Sequence, residues 1–211
     1  MVNMRILIAD DHAIFRKGLK EILLEEYPSA HIEEVEDADS LFKRTINAEW
    51  DVIITDLSMP GRSGLESLRD IKQHSPKIPV LVLSLYPEEQ YATRVLKAGA
   101  SGYINKDAAL TELIKAVQRV LQGRKYITAS LAEKLANDLG NDADKEPHEL
   151  LTDREFDVMK LIASGKPILE IAARLSLSPT TISTYRARIL GKMNLKTNAD
   201  LTKYALHSRL I

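Results

Sequence analysis

The sequence predicts an α/β domain, a doubly wound five-stranded parallel sheet, followed by a small all-α domain built on a helix-turn-helix. Three observations predict it. Over the first 125 residues, short β-rich runs alternate with helical stretches five times. The third and fourth runs are almost wholly apolar, as strands covered on both faces must be. Past residue 148 every strong signal is helical, with a tight turn before the third helix.

In chain order, the strand candidates are 5–9, 31–36, 51–55, 80–84 and 102–105. Apolar stripes at helical spacing lie between and after them: Ile14, Leu19, Ile22 and Leu23; then Leu65, Leu68 and Ile71; then Leu113, Ile114, Val117, Val120 and Leu121. Gly99, Gly102 and Gly123 punctuate this part. An amphipathic helix is expected over 128–139, ending at Gly140, and the polar acidic stretch 141–148, with Pro147, reads as a linker. Thr152 and Glu155 form a capping box ahead of Phe156, Val158, Met159, Leu161 and Ile162, and Gly165 ends that helix. A short helix over 169–175 follows. Ser178 then caps a longer helix with Pro179 at its first position, and a last helix covers about 199–206. The resulting division is 1–125, a linker with one helix over 126–148, and 149–211.

Composition bounds the function. A chain of 211 residues with 45% hydrophobic content can fill two cores. With no cysteine, neither a disulfide nor a thiolate-ligated zinc site is possible, and a reducing compartment is the natural home. No apolar run approaches the roughly 18 residues that span a bilayer, and no leader pattern follows Met1. A cytoplasmic protein without membrane contact is expected. The net charge of −1 hides an asymmetry, with +4 on residues 148–211 and −5 on the rest. An acidic front with a basic tail suits a nucleic-acid reader attached to a regulatory module.

Parallel sheets of this kind carry their ligands at the carboxyl ends of the strands. Asp10 and Asp11 close the first run and Asp56 closes the third, so three carboxylates share one edge with Ser84 and Lys106. Three such charges repel unless a hard cation sits among them or one does chemistry. Mg2+ would be satisfied by Asp10 or Asp11, Asp56 and one backbone carbonyl. Lys106 supplies a point charge for a phosphoryl group, the Ser84 hydroxyl a donor, and Asp56 a nucleophile. His12 reads as a surface residue of the helix that follows.

Residues 4–125 resemble a response-regulator receiver domain, which implies a flavodoxin-like fold. The motifs are Ile-Ala-Asp-Asp-His, Asp-Leu-Ser-Met-Pro-Gly-Arg-Ser-Gly, Leu-Ser at 83–84 and Lys-Ala-Gly-Ala-Ser-Gly-Tyr-Ile-Asn-Lys-Asp at 97–107. The resemblance implies that Asp56 accepts phosphate from a sensor histidine kinase. It also implies that Mg2+ is held by Asp11, Asp56 and the Ser58 carbonyl with Asp10 close by. Ser84 and Tyr103 would form a switch pair, the aromatic ring moving inward behind the hydroxyl.

Residues 149–211 resemble the DNA-binding domain of LuxR-type and NarL/FixJ-type regulators, through Leu-Thr-Asp-Arg-Glu-Phe-Asp-Val-Met, Glu-Ile-Ala-Ala-Arg-Leu-Ser-Leu-Ser, Thr-Ile-Ser-Thr-Tyr and Ile-Leu-Gly-Lys-Met-Asn-Leu. On the third helix of this domain Ile182, Tyr185, Ile189 and Met193 share the core side. Thr180, Ser183, Thr184, Ala187 and Arg188 face outward, where short hydroxyls and an arginine suit base edges; Thr181 joins them at the helix start. Arg186 and Lys192 flank that face and suit phosphates. Two departures from the family pattern are Pro167–Ile168, where a Ser/Thr-Asn pair is usual, and Ser183–Thr184–Tyr185, where Lys-x-His is common. Implied partners are double-stranded promoter DNA, a sensor histidine kinase, a second copy of the chain on activation, and RNA polymerase. Two competing readings are a phosphohydrolase with an aspartyl nucleophile, which would want a second Asp where Ser58 stands, and a receiver whose output binds protein.

Overall fold

β-Branched and leucine residues fill the runs that become strands: β1 (Arg5–Ala9), β2 (His31–Val35), β3 (Val52–Asp56), β4 (Val80–Ser84) and β5 (Gly102–Asn105). In the computed structural model, which describes residues 4–59, 63–138 and 146–211, they pair in parallel in the order β2-β1-β3-β4-β5. The third strand starts one residue later than the sequence suggests and takes in Asp56. Asp51 instead caps the start of β1, its carboxylate accepting the Arg5 N–H at 2.7 Å. Both β3 and β4 are buried along their whole length.

Helices cover the sheet: α1 (Ala13–Glu26), α2 (Ala38–Asn47), α3 (Gly64–His74), α4 (Glu88–Lys97) and α5 (Lys106–Leu121). The core beneath α1 and α5 joins Ile6, Ile8, Leu19, Leu23, Val52, Ile54, Leu113 and Val117. Helices α2 and α4 have no long aliphatic stripe. They bury Ala38, Leu41 and Thr45 in one case and Tyr91, Ala92 and Val95 in the other. Gly99 and Gly123 adopt positive φ, 105° and 75°, which glycine tolerates without strain. Past α5, Tyr126 makes a one-residue parallel bridge to Gly102, and α6 (Ala129–Asp138) follows, with Thr128 Oγ1 accepting the Leu131 N–H at 3.1 Å. Leu139, Gly140 and the linker stretch 141–145 lie outside the described residues, as do Pro60, Gly61 and Arg62 of the loop after β3.

The chain divides into two units, Met1–Ala136 and Asn137–Ile211. The second holds a short 3-10 turn (Pro147–Leu150) and α7 (Asp153–Ala163), α8 (Ile168–Arg174), α9 (Pro179–Lys192) and α10 (Asn198–His207). Reciprocal capping starts α7: Glu155 N–H donates to Thr152 Oγ1 at 3.4 Å, and Thr152 N–H donates to Glu155 Oε2 at 2.8 Å. Thr197 and Asp200 repeat the device on α10, where aspartate replaces the usual glutamate. Phe156, Met159, Ile162, Ile171, Ile182, Ile189 and Leu201 are buried in this unit, and α7 packs on α8, α9 and α10. Arg154, nearly buried, donates to the Leu175 carbonyl at 2.8 Å and pins the end of α8.

Ser176 closes α8 in the left-handed region, φ 54°, a conformation that costs a residue with a Cβ. Ser176→Gly should therefore stabilise this unit by about 0.5–1 kcal/mol, read as a raised urea midpoint at unchanged slope. A lowered midpoint would mean the serine earns its place through another contact.

Candidate functional site

Every strand of the sheet points its carboxyl end at one rim, so the residues that leave β1, β3, β4 and β5 meet there. Asp10 follows β1 and Asp56 ends β3; they are 1% and 3% exposed, so water cannot share their charge. Lys106, the first residue of α5 rather than the last of the fifth strand, sends its ammonium between them. Its Nζ lies 2.6 Å from Asp10 Oδ2 and 2.7 Å from Asp56 Oδ2, with the Phe15 ring 4.8 Å away. The second Asp56 oxygen accepts the Ser58 N–H at 3.1 Å. One lysine thus balances two buried carboxylates, and the site keeps a net negative charge. Burial pushes the Asp56 carboxyl above the ordinary aspartate value; the Lys106 hydrogen bond and charge pull it down, and the Asp10 charge pushes it further up.

Asp11 stands at the exposed mouth of the site. One ligand atom from each of Asp10, Asp11, His12 and Asp56 falls within 4.8 Å of the others. An electronegative cluster of carboxylate oxygens, buried at Asp10 and Asp56 and open to solvent at Asp11, fits a hard divalent cation. His12 is exposed, as expected of it. It is the residue before α1, yet its side chain does not cap that helix. Its Nδ1 lies 2.8 Å from Asp11 Oδ1 and 3.1 Å from Asp10 Oδ1.

Behind the acids, Ser84 and Tyr103 are both fully buried. Ser84 Oγ accepts the Tyr86 N–H at 3.2 Å, and the Tyr103 hydroxyl donates to the Tyr86 carbonyl at 2.6 Å. The ring of Tyr103 already lies inward. Burial pushes its phenol well above the ordinary tyrosine value, with the Ser84 hydrogen bond opposing. Tyr86 went unmarked in the sequence; its carbonyl also accepts from Asn105 Nδ2 at 3.4 Å, and its ring stacks on Tyr91 with centroids 4.4 Å apart. Also unmarked were two ties that fasten the chain leaving α5 beside Tyr103: Thr128 Oγ1 to Glu88 and the Tyr126 hydroxyl to Glu112. A cavity of about 510 Å³ lies there, lined by Glu88, Tyr103, Glu112, Tyr126 and Thr128 among others. An isolated aromatic shortly after the Gly123 turn was the only sequence signal for it.

In the second unit, Thr180, Ser183, Thr184, Ala187 and Arg188 are all exposed along α9, on the face opposite buried Ile182, Ile189 and Met193. Tyr185 is only partly buried. Ser183 Oγ donates to the Pro179 carbonyl and Thr184 Oγ1 to the Thr180 carbonyl, each at 3.0 Å, so both hydroxyls present lone pairs outward. Three more of the residues expected to touch DNA also have partners within the protein. Thr181 shares a 2.8 Å hydroxyl contact with the Ser178 cap. Arg186 Nε donates to Asn198 Oδ1 at 2.6 Å, and Lys192 Nζ lies 2.6 Å from Glu155 Oε2. Burial would raise the Glu155 carboxyl, but the Lys192 and Thr152 hydrogen bonds outweigh it and hold the group below the ordinary glutamate value. Among the described residues no helix is long and apolar enough to cross a membrane.

Comparison with known proteins agrees with this geometry. Residues 6–118 match the response regulator receiver domain, and residues 149–205 match the bacterial regulatory proteins of the luxR family. The chain is 37% identical over 215 residues to the oxygen regulatory protein NreC of Staphylococcus carnosus, covering 99% of both chains. Among solved structures, the Salmonella typhimurium RcsB response regulator superposes with a TM-score of 0.71 at 30% identity, covering 97% of each chain. RcsB from Salmonella enterica serovar Typhimurium, bound to promoter P1flhDC in the presence of the phosphomimetic BeF3-, matches at 30% identity and a TM-score of 0.59 over 96% of this chain and 97% of that one. A sheet whose rim gathers three acids and a lysine, followed by a helix-turn-helix, therefore has the expected relatives, and the chain belongs to the response regulators that join a receiver domain to a LuxR-type regulatory domain.

Proposed function

We propose that Asp56 accepts a phosphoryl group from a sensor histidine kinase and that the added charge controls how residues 149–211 read promoter DNA. Residues 1–125 form the accepting part and 126–148 the link. The observation that carries this is the Lys106 ammonium held between the buried carboxylates of Asp10 and Asp56. Asp11, Asp56 and the Ser58 carbonyl would hold Mg2+ with Asp10 beside it, and the ion when bound would neutralise phosphoryl oxygens. Asp56 presents its oxygen as the nucleophile, stripped of water by burial. Lys106 can then exchange its Asp56 contact for a phosphoryl oxygen while keeping Asp10. A phosphoryl group carries about −1.5 to −2 charge, enough to draw the Ser84 hydroxyl from the Tyr86 N–H. Tyr103 answers through the shared Tyr86 backbone, which sits ahead of α4. The surface of α4, β5 and α5 shifts in turn and favours pairing of two copies. Two reading heads then meet half-sites about one helical turn apart. A phosphohydrolase reading is disfavoured by Ser58, which stands where such an enzyme would need a second acid.

A mobility-shift titration of a promoter fragment, with and without beryllofluoride and Mg2+, tests the coupling: tighter binding on treatment is expected, and equal binding would overturn it. The interface has its own test. Arg186→Ala should weaken binding to any sequence and reduce the slope of log affinity against log salt by about 1, whereas Arg188→Ala should weaken binding and relax specificity at the base it meets. Lys192→Ala should also weaken binding, but in addition lower the melting temperature by a few degrees. Glu155, 3% exposed, then loses its cation, though Lys192 is 39% exposed and solvent screening keeps the loss near ~1 kcal/mol. An unchanged melting temperature would show the Lys192–Glu155 pair to be without structural weight.

A further inference from the structure

The side chain of His12 occupies a position that the phosphoacceptor chemistry leaves unused. It belongs neither to the helix cap nor to the protein core: α1 begins without a hydrogen bond from it, and it is 57% exposed. Its backbone is nevertheless fixed, because the His12 N–H donates to Asp10 Oδ1 at 2.8 Å. That bond turns the ring toward the acids, where Nδ1 approaches one oxygen of each of Asp10 and Asp11. A cation drawn to the carboxylates of Asp10, Asp11 and Asp56 would meet this nitrogen within the same 4.8 Å cluster. The ring is exposed enough to turn from the carboxylates toward an ion without disturbing anything packed.

Magnesium keeps its waters and takes oxygen donors, whereas imidazole is a good ligand for zinc, nickel and the other later first-row ions. We infer that His12 is an additional ligand at the mouth of this site and biases it toward divalent ions that accept nitrogen, so that Zn2+ and Ni2+ bind more tightly relative to Mg2+ than the carboxylates alone would allow. The inference rests on the reading of Asp10, Asp11 and Asp56 as a cation site and adds to it which metal that site prefers. Binding of Mg2+ does not need the imidazole and is indifferent to its removal.

The experiment uses the full chain in unphosphorylated form and measures metal binding directly. Zn2+ is titrated calorimetrically, Mg2+ is titrated in as a competitor, and the imidazole nitrogen resonances of His12 are followed as Zn2+ or Mg2+ is added. In His12→Phe and His12→Gln, Zn2+ affinity should fall by about tenfold or more, with Mg2+ affinity unchanged. In the wild type, Zn2+ should shift the His12 Nδ1 resonance and Mg2+ should leave it in place. Equal Zn2+-to-Mg2+ affinity ratios in wild type and both variants would overturn the inference while leaving the acidic site standing. If Asp11→Asn binds both ions as wild type does, or wild type binds neither, the cation site itself is wrong and the role of His12 falls with it.

Discussion

Asp56→Asn protein will take up no phosphoryl label from acetyl phosphate, a loss on the order of 10³-fold or more against wild type. The amide keeps the shape of the side chain and can accept from the Ser58 N–H as the carboxylate does, so the loss isolates the nucleophile from the fold. Label appearing on the variant would place the acceptor elsewhere. The same substitution should make the protein more stable near neutral pH. The folded-state pKa of Asp56 is raised, chiefly by burial. A raised carboxyl favours folding in its protonated form; that contribution is complete below the unfolded-state value and lost as pH rises through the folded one. Above that window the ionised, buried Asp56 opposes folding, and its removal leaves Lys106 paired with Asp10 alone in a neutral couple. A melting temperature above that of wild type is expected at pH 7. The gap should close as pH falls into the carboxylate range. A variant less stable than wild type at neutral pH would mean that the Asp56–Lys106 attraction outweighs desolvation.

This conflict between stability and function is why the rim was legible in sequence at all. Two short apolar runs ending in Asp10–Asp11 and Asp56 make no sense as mere strand ends, and with Ser84 and Lys106 they mark a site before any coordinate is known. Strands β3 and β4 were equally plain, because burial on both faces leaves no polar residue to interrupt the run. Helices α2 and α4 were not, since their buried positions are Ala, Thr and Tyr among the few large aliphatics. Contacts between distant residues were hidden for another reason. Neither Thr128–Glu88 nor Tyr126–Glu112 follows from local spacing; each depends on where the chain returns after Gly123. His12 is exposed at the start of α1 as its sequence neighbours suggested, but the contact of its ring with the acids just before it was not readable from spacing. On α9 the outward stripe was readable from a 100° step, but the pairing of Lys192 with Glu155 needed the packing of α7 on α9.

Gly64→Ala is expected to be the most damaging small substitution in the receiver. A Cβ there would stand 2.4 Å from the Leu57 carbonyl oxygen, 2.6 Å from its Cα and 2.8 Å from its carbonyl carbon. All three are backbone atoms, so no flexible side chain can yield, and either the start of α3 or the strand end must move. Leu57 is buried and directly follows Asp56, and Ser58 beyond it donates to the Asp56 carboxylate. Displacing this segment therefore reaches the nucleophile. A loss of about 3 kcal/mol is expected, roughly 10 °C in melting temperature, together with slower labelling of Asp56. Gly18→Ala is the control: it lies within α1 with nothing within 4 Å of its Cβ position, so it should stabilise the helix by about 0.5–1 kcal/mol and leave labelling unchanged. The opposite signs of two chemically identical changes separate helix propensity from close backbone approach. Should Gly64→Ala melt with wild type and label at the wild-type rate, the β3–α3 connection can relax without moving Asp56, and the site's geometry owes nothing to this glycine.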